Sequence, residues 1–274
     1  MKDIKEMVKY DNLLNKLPLS GLNAIELDLF MALCAKAKGK GHDLIILKYA
    51  DLKKLLDMSK QNDTYFHKKL QEMCARLKKI DCSTITDDDD FLEFNLFSTF
   101  AGSLKSKELR VRVNEDLEFL LNDVSSFTVF ELRKFVVLKS KYSKNLFRLL
   151  KQYNNTGVYR ISAEELRKLL DCPGHYPNKE FIRACLKPSM EELSSCFADL
   201  KVNPIRGSGR GRPIQEYRFT FKPVKPARES KDPSIPPKQK PRQRKNSFNN
   251  FTQRNYDFAE YERMVLTGGK EEST

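Results

Sequence analysis

The chain has 274 residues, 40% hydrophobic and 32% charged, with a formal net charge of +13. That length suits two ordinary domains and a tail, and no run approaches the ~20 apolar residues of a membrane span. The start, Met1-Lys2-Asp3-Ile4-Lys5-Glu6, lacks the apolar core of a secretory signal, so a cytoplasmic protein without a membrane partner is expected.

Apolar residues recur at helical spacing at Leu22, Ile25, Leu29 and Leu33, which predicts a helix over 22–38. Asn23 and Glu26 form a capping-box pair at its start. Leu44 to Leu47 is a short apolar run, expected as a buried strand. Tyr49–Met58 reads as a short helix and Asn62–Lys79 as a longer one, with Phe66, Leu70, Met73 and Leu77 inward and His67 on the exposed side. Alternation predicts two strands, one through Leu92, Phe94 and Leu96 and one through Leu109, Val111 and Val113. Asp87 to Asp90, just before them, reads as a solvated turn, since a calcium loop needs spaced ligands and a glycine.

A short helix over 116–121 and a strand over 127–130 lead to a long helix over 133–153. A short strand, Val158–Ile161, precedes Ser162-Ala163-Glu164-Glu165, a capping box opening a helix to Leu170. After a turn at Cys172–Pro177, a further helix starts near Asn178 and passes Pro188, which must kink or divide it. Lys201–Phe221 reads as a hairpin with its tip at Arg206–Arg212. From Lys222 to about Asn246 proline and basic residues dominate, a composition that cannot bury a core and predicts an extended linker. Phe251, Tyr256, Phe258, Tyr261 and Leu266 mark a closing segment suited to ordering on a partner.

The two halves repeat one order: helix, short strand, short helix, second helix, hairpin. Ala50-Asp51-Leu52-Lys53-Lys54-Leu55-Leu56-Asp57 answers Glu164-Glu165-Leu166-Arg167-Lys168-Leu169-Leu170-Asp171, and Phe66 answers Phe181. This predicts an α+β fold of two tandem winged helix-turn-helix domains, in which the second helix of each pair enters the major groove and the hairpin is the wing. Residues 1–124 form the first domain, 125–221 the second and 222–274 a basic tail. Net charge runs −1 over 1–124, +9 over 125–221, +7 over 222–245 and −2 over 246–274. The basic excess sits in the second domain and the linker, which points to a polyanion partner.

Catalytic signals are sparse. His42, His67 and His175 make no H-x-H or H-E-x-x-H motif, and Gly39-Lys40 and Gly268-Gly269-Lys270 are not phosphate-binding loops. Six cysteines, none in C-x-x-C, read as reduced, buried thiols; zinc at Cys172, His175, Cys185 and Cys196 lacks the usual ligand spacing. No enzyme, metal or cofactor is implied. Lys179, Arg183 and Lys187 recur every four residues and share one face of the second recognition helix, away from Phe181 and Cys185. A basic stripe opposite an apolar one suits a helix on a phosphate-lined groove, and arginine also reads guanine edges. Arg206, Arg210 and Arg212 arm a glycine-rich wing. Tyr176 and Asn178 at the helix start, and Lys68 and Lys69 on the first domain's helix, complete the candidate DNA-binding set.

Three blocks resemble the initiator proteins of iteron-containing, theta-replicating plasmids. They are Leu138–Ser143 running into Leu146–Tyr153, Ile161-Ser162 with Glu165–Leu170, and Leu186–Leu193 followed by Gly211-Arg212 and the aromatic strand to Phe221. Ser189 and Leu193-Ser194 stand where that family favours Ala and Ile-Asn. The resemblance implies binding to repeated origin sequences in double-stranded DNA and recruitment of a host replication initiator and replicative helicase. It also implies dimers, joined through the first domain, that repress their own gene; Val111→Asp is expected to favour monomers or, if Val111 is core, to misfold. A winged-helix transcriptional regulator and a nicking-type replication enzyme are the rival readings.

Overall fold

The computed structural model describes residues 6–41, 43–80, 95–121, 126–208 and 212–224. The chain divides into two units, Met1–Pro226 and Ala227–Thr274, and every described residue belongs to the first. The expected tail beyond Val224, Asp87–Asp90, and Leu92 and Phe94 lie outside the described residues.

Strand β1 (Met7–Asp11) and helix α1 (Leu13–Lys16) precede α2 (Ala24–Ala37). Asn23 accepts from the Glu26 amide while the Glu26 carboxylate accepts from the Asn23 amide, so the capping box forms in full. Residues 26–34 are buried on every side because α2 packs against β1, α4, α5 and α6. That all-round burial hides the simple amphipathic pattern expected of it, and Ile25, placed inward by spacing, is 44% exposed. Strand β2 (Ile45–Lys48) is not the fully buried strand expected. It alternates, with Ile45 and Leu47 inward and Ile46 outward, because its sheet is covered on one face only.

Helices α3 (Tyr49–Leu55) and α4 (Asp63–Leu77) are followed by strands β3 (Phe97–Ser103) and β4 (Glu108–Val113). Of the residues expected to form a strand here, Leu96 is described and directly precedes β3. A 3-10 turn, Glu115–Leu120, leads to β5 (Phe127–Glu131), which pairs antiparallel with β1 from Met7↔Glu131 to Asp11↔Phe127. The long helix expected over 133–153 is two, α5 (Leu132–Val136) and α6 (Lys141–Gln152). The chain breaks at Ser140, whose hydroxyl accepts from the Tyr142 amide and starts α6 afresh, while the Lys139 amide donates to Glu192.

Strand β6 (Val158–Ser162) and helix α7 (Ala163–Leu169) follow, then α8 (Asn178–Phe181), a π turn (Ile182–Leu186), α9 (Lys187–Leu193) and the hairpin β7 (Lys201–Arg206) and β8 (Ile214–Thr220). Ser162 accepts from the Glu165 amide. Both halves build a three-stranded antiparallel sheet of the same order, β2-β4-β3 and β6-β8-β7. The repeat extends to the backbone: Asp57 (φ 55°) and Asp171 (φ 53°) each end their short helix in the left-handed conformation. The next amides, of Met58 and Cys172, then return to the carbonyls of Lys53 and Arg167. Two winged helices stand in tandem.

Helix α6 joins them. Lys144 is fully buried and reaches Asp28 on α2 at 2.5 Å and the Phe135 carbonyl at 2.9 Å. Arg148, equally buried, donates to the carbonyls of Leu14 and Leu17 at 3.0 and 2.7 Å. Buried charges persist only when paired and hydrogen-bonded, so these contacts fix one arrangement of the joint. Among the described residues no helix is long and apolar enough to cross a membrane.

Candidate nucleic-acid interface

In the second winged helix the recognition element runs from Asn178 to Leu193 as one continuous α–π–α helix. Pro188 has no amide hydrogen, and its ring crowds the carbonyl four residues earlier. The wider π turn lies just ahead of it, and the Lys187 amide bonds back five residues to Ile182, so the helix bends its hydrogen-bond pattern rather than splitting. Phe181, Cys185, Leu186, Ser189 and Leu193 face the core. Ser189 donates to the Cys185 carbonyl at 2.7 Å and meets the Ser143 hydroxyl of α6.

Lys179, Arg183 and Lys187 are exposed together on the opposite side. Each four-residue step along an α-helix drifts about 40° around the axis. The π turn between Arg183 and Lys187 takes more residues per circuit and offsets that drift, which keeps the three cations in line. Arg183 is not idle: its guanidinium makes a bidentate pair with Glu180, at 3.1 and 2.8 Å.

Arg167 of α7 was missed by sequence reasoning. Its guanidinium donates to the Tyr176 carbonyl and to the Asn178 side-chain oxygen, both at 2.8 Å, and lies 4.6 Å from the centre of the Phe181 ring. It therefore holds the start of the recognition helix on the preceding helix. Tyr176 is half-buried, edge-on to His175, and Asn178 is exposed with its oxygen engaged. The signal for Arg167 was present only as part of the repeated block, where a role for it could not be separated from an ordinary helix surface.

On the wing, Arg206 is exposed and donates to the Arg212 carbonyl at 3.2 Å, and Arg212 is exposed at φ 44°. A Cβ at Gly207 would meet the end of the exposed Gln215 side chain at 2.4 Å, which would have to swing aside. Arg210 lies outside the described residues. Recognition helix and wing arginines thus belong to one winged-helix unit, as the repeat implied.

In the first winged helix, Asn62 caps α4 by accepting from the Tyr65 amide at 2.8 Å. Lys68 is exposed, whereas Lys69 is paired with Glu72 at 2.8 Å. His67 is half-buried, not exposed, and shares a 2.5 Å hydrogen bond with the Tyr49 hydroxyl. Asp63 at the start of α4 binds Lys107 of the wing at 2.7 Å and Lys53 of α3 at 2.5 Å. Those two lysines hold its carboxyl down at about 2. Lys53 and Lys107 were not singled out by sequence; the Ser103–Lys107 turn between two alternating strands was the available signal. Val111, offered for self-association, points into the core with Leu109 and Val113; the outer face of that sheet carries Ile46, Arg110, Arg112, Thr99 and Ala101.

Residues 7–151 match the family described as "Initiator Replication protein, WH1", and residues 162–221 match "Initiator Rep protein, WH2". The chain is 34% identical over 221 residues to a "Probable replication protein rep" of Bifidobacterium longum (strain NCC 2705), covering 79% of this chain and 72% of that one. It is also similar to a crystal structure of Pi initiator protein in complex with iteron DNA. That match has a TM-score of 0.60 and 21% identity over 79% of this chain and 97% of the other, a likeness of fold.

Proposed function

Because the chain belongs to the initiator replication protein family and carries both of its winged-helix parts, we propose that it binds repeated sequences in duplex origin DNA. Residues 125–221 supply recognition, with the helix from Asn178 in the major groove and the Arg206–Arg212 wing on the neighbouring backbone. The observation that carries this reading is the exposed line of Lys179, Arg183 and Lys187 on a helix whose other face is core. Arg183 reads a base edge after exchanging Glu180 for DNA; Lys179 and Lys187 bind phosphate. Lys68 and the first wing add auxiliary contacts.

Binding energy helps open the duplex, and the bound protein recruits a host replication initiator and replicative helicase in the cytoplasm. It has no catalytic step of its own. Residues 1–124 mediate dimers that repress the chain's own gene, and residues 222–274 add salt-sensitive affinity without sequence preference. Titrations of the full chain against an origin repeat and a scrambled duplex, at several salt concentrations, test the reading. Arg183→Ala loses about 1–3 kcal/mol on the repeat and relaxes discrimination at one position. Arg210→Ala weakens both duplexes alike and flattens the salt dependence. Unchanged affinity of Arg183→Ala for the repeat refutes the recognition-helix assignment.

A further inference from the structure

Cys172 and Cys185 present their sulfurs to each other at 3.6 Å. Cys172 sits in the turn that follows the left-handed Asp171, and Cys185 lies in the middle of the π turn of the recognition helix. The pair therefore links the two helices of the second helix-turn-helix at the place where the second helix is least regular. Cys185 is fully buried; Cys172 is half-buried and is the sulfur a reagent can reach. Burial pushes the Cys172 thiol up to about 12, which slows its reaction. The other thiols on the described chain sit elsewhere: Cys34 and Cys74 are buried in the first half and Cys196 lies beyond α9.

We propose that Cys172 and Cys185 form an oxidative modification site, closed to an intramolecular disulfide by a low-molecular-weight disulfide, and that its closure weakens DNA binding. The Cys172 thiolate attacks one sulfur of the reagent and expels one thiol, leaving a mixed disulfide. The Cys185 thiolate then attacks the Cys172 sulfur and expels the second thiol. The two protein thiols give up two electrons and two protons, and the reagent is reduced to two thiols. Closure must draw the sulfurs from 3.6 Å to about 2.05 Å. The π turn, an already distorted stretch of helix, takes up that movement, and it is the turn that aligns Arg183 and Lys187 with Lys179. The effect on DNA rests on the function proposed above, whereas formation of the bond does not.

The test uses the full chain carrying Cys196→Ser, treated with oxidised glutathione and digested with trypsin. Cys185 and Cys196 share a tryptic peptide, since the bond after Lys187 precedes proline, so this background makes the linkage unambiguous. The expected result is a cross-linked pair of peptides containing Cys172 and Cys185, an intact mass lower by two hydrogens, and a loss of duplex affinity that dithiothreitol restores. Cys172→Ser, also in that background, should show neither the mass change nor the affinity loss. A glutathione adduct at Cys172 with no internal link overturns the modification site. A cross-linked chain that binds duplex as tightly as the reduced one overturns its coupling to DNA. If the link forms while neither oxidised nor reduced chain prefers the origin repeat, the proposed function fails and the site stands.

Discussion

Glu180 and Arg183 occupy neighbouring turns of the recognition helix and close on each other in the DNA-free protein. With Arg183 74% exposed, the pair contributes little to stability, because solvent screens it. In the proposed complex its consequence lies in binding: DNA would have to displace the carboxylate, which also repels phosphate. Glu180→Gln therefore frees Arg183 and removes that repulsion. The expected outcome is tighter binding to both cognate and scrambled duplexes with no change in thermal midpoint, measured by anisotropy titration and calorimetry. Weaker binding by Glu180→Gln would mean that the carboxylate itself reads a base, as acidic side chains can at cytosine.

The first sheet shows how an element divides its faces. Strand β4 alternates strictly, with Leu109, Val111 and Val113 buried and Arg110 and Arg112 exposed. Register sets Ile46 beside Arg110, and Arg110 beside Ala101, on the outer face. An exposed isoleucine on the edge strand, with Arg110 on its inner side, offers an apolar contact for the self-association proposed above. Ile46→Asp is accordingly expected to shift the full chain toward monomer in sedimentation while leaving its helical circular dichroism intact. Val111→Asp buries an unpaired carboxylate and is expected to unfold the domain, which makes it unsuitable as a probe of assembly. If Ile46→Asp sediments like the unaltered chain at every concentration, the proposed self-association does not use this face.

At the scale of the whole molecule, the joint between the winged helices is polar and buried. Burial pushes the Asp28 carboxyl up to about 7, against the pull of Lys144, and the same burial pushes the Lys144 ammonium down. A carboxyl raised in the folded state binds its proton more tightly there than in the unfolded chain. Its contribution is therefore full below the unfolded value near 4 and is lost as pH rises through about 7. Lys144→Met leaves Asp28 without its partner and should cost about 3–5 kcal/mol in urea unfolding. The deficit shrinks from pH 8 to pH 5 as Asp28 takes up a proton; a deficit independent of pH would show that packing, not the charge, is what Lys144 supplies. The chain's other end makes a simpler test. The Lys222 amide donates to Ala198 and that of Val224 to Asn154, so the folded unit extends past Phe221. Truncation after Val224 is expected to unfold cooperatively and keep its sequence preference while losing salt-sensitive affinity for any duplex.

The sequence by itself determined the repeat, and with it the fold class and the recognition helix. Those rest on local chemistry: apolar periodicity, caps at Asn23, Asn62 and Ser162, and helix ends at Asp57 and Asp171 that each segment carries within itself. Lys179, Arg183 and Lys187 were legible for the same reason, since their spacing alone puts them on one side of a helix. What tertiary structure decided is the pairing of residues far apart in the chain. Nothing in the order of residues says that β1 meets β5, that Lys144 meets Asp28 across 116 positions, or that Arg167 holds the Asn178 end of the recognition helix. The all-round burial of α2 follows from the same packing, because β1, α4, α5 and α6 surround it, and the break at Ser140 goes with the bond from the Lys139 amide to Glu192, 53 positions away.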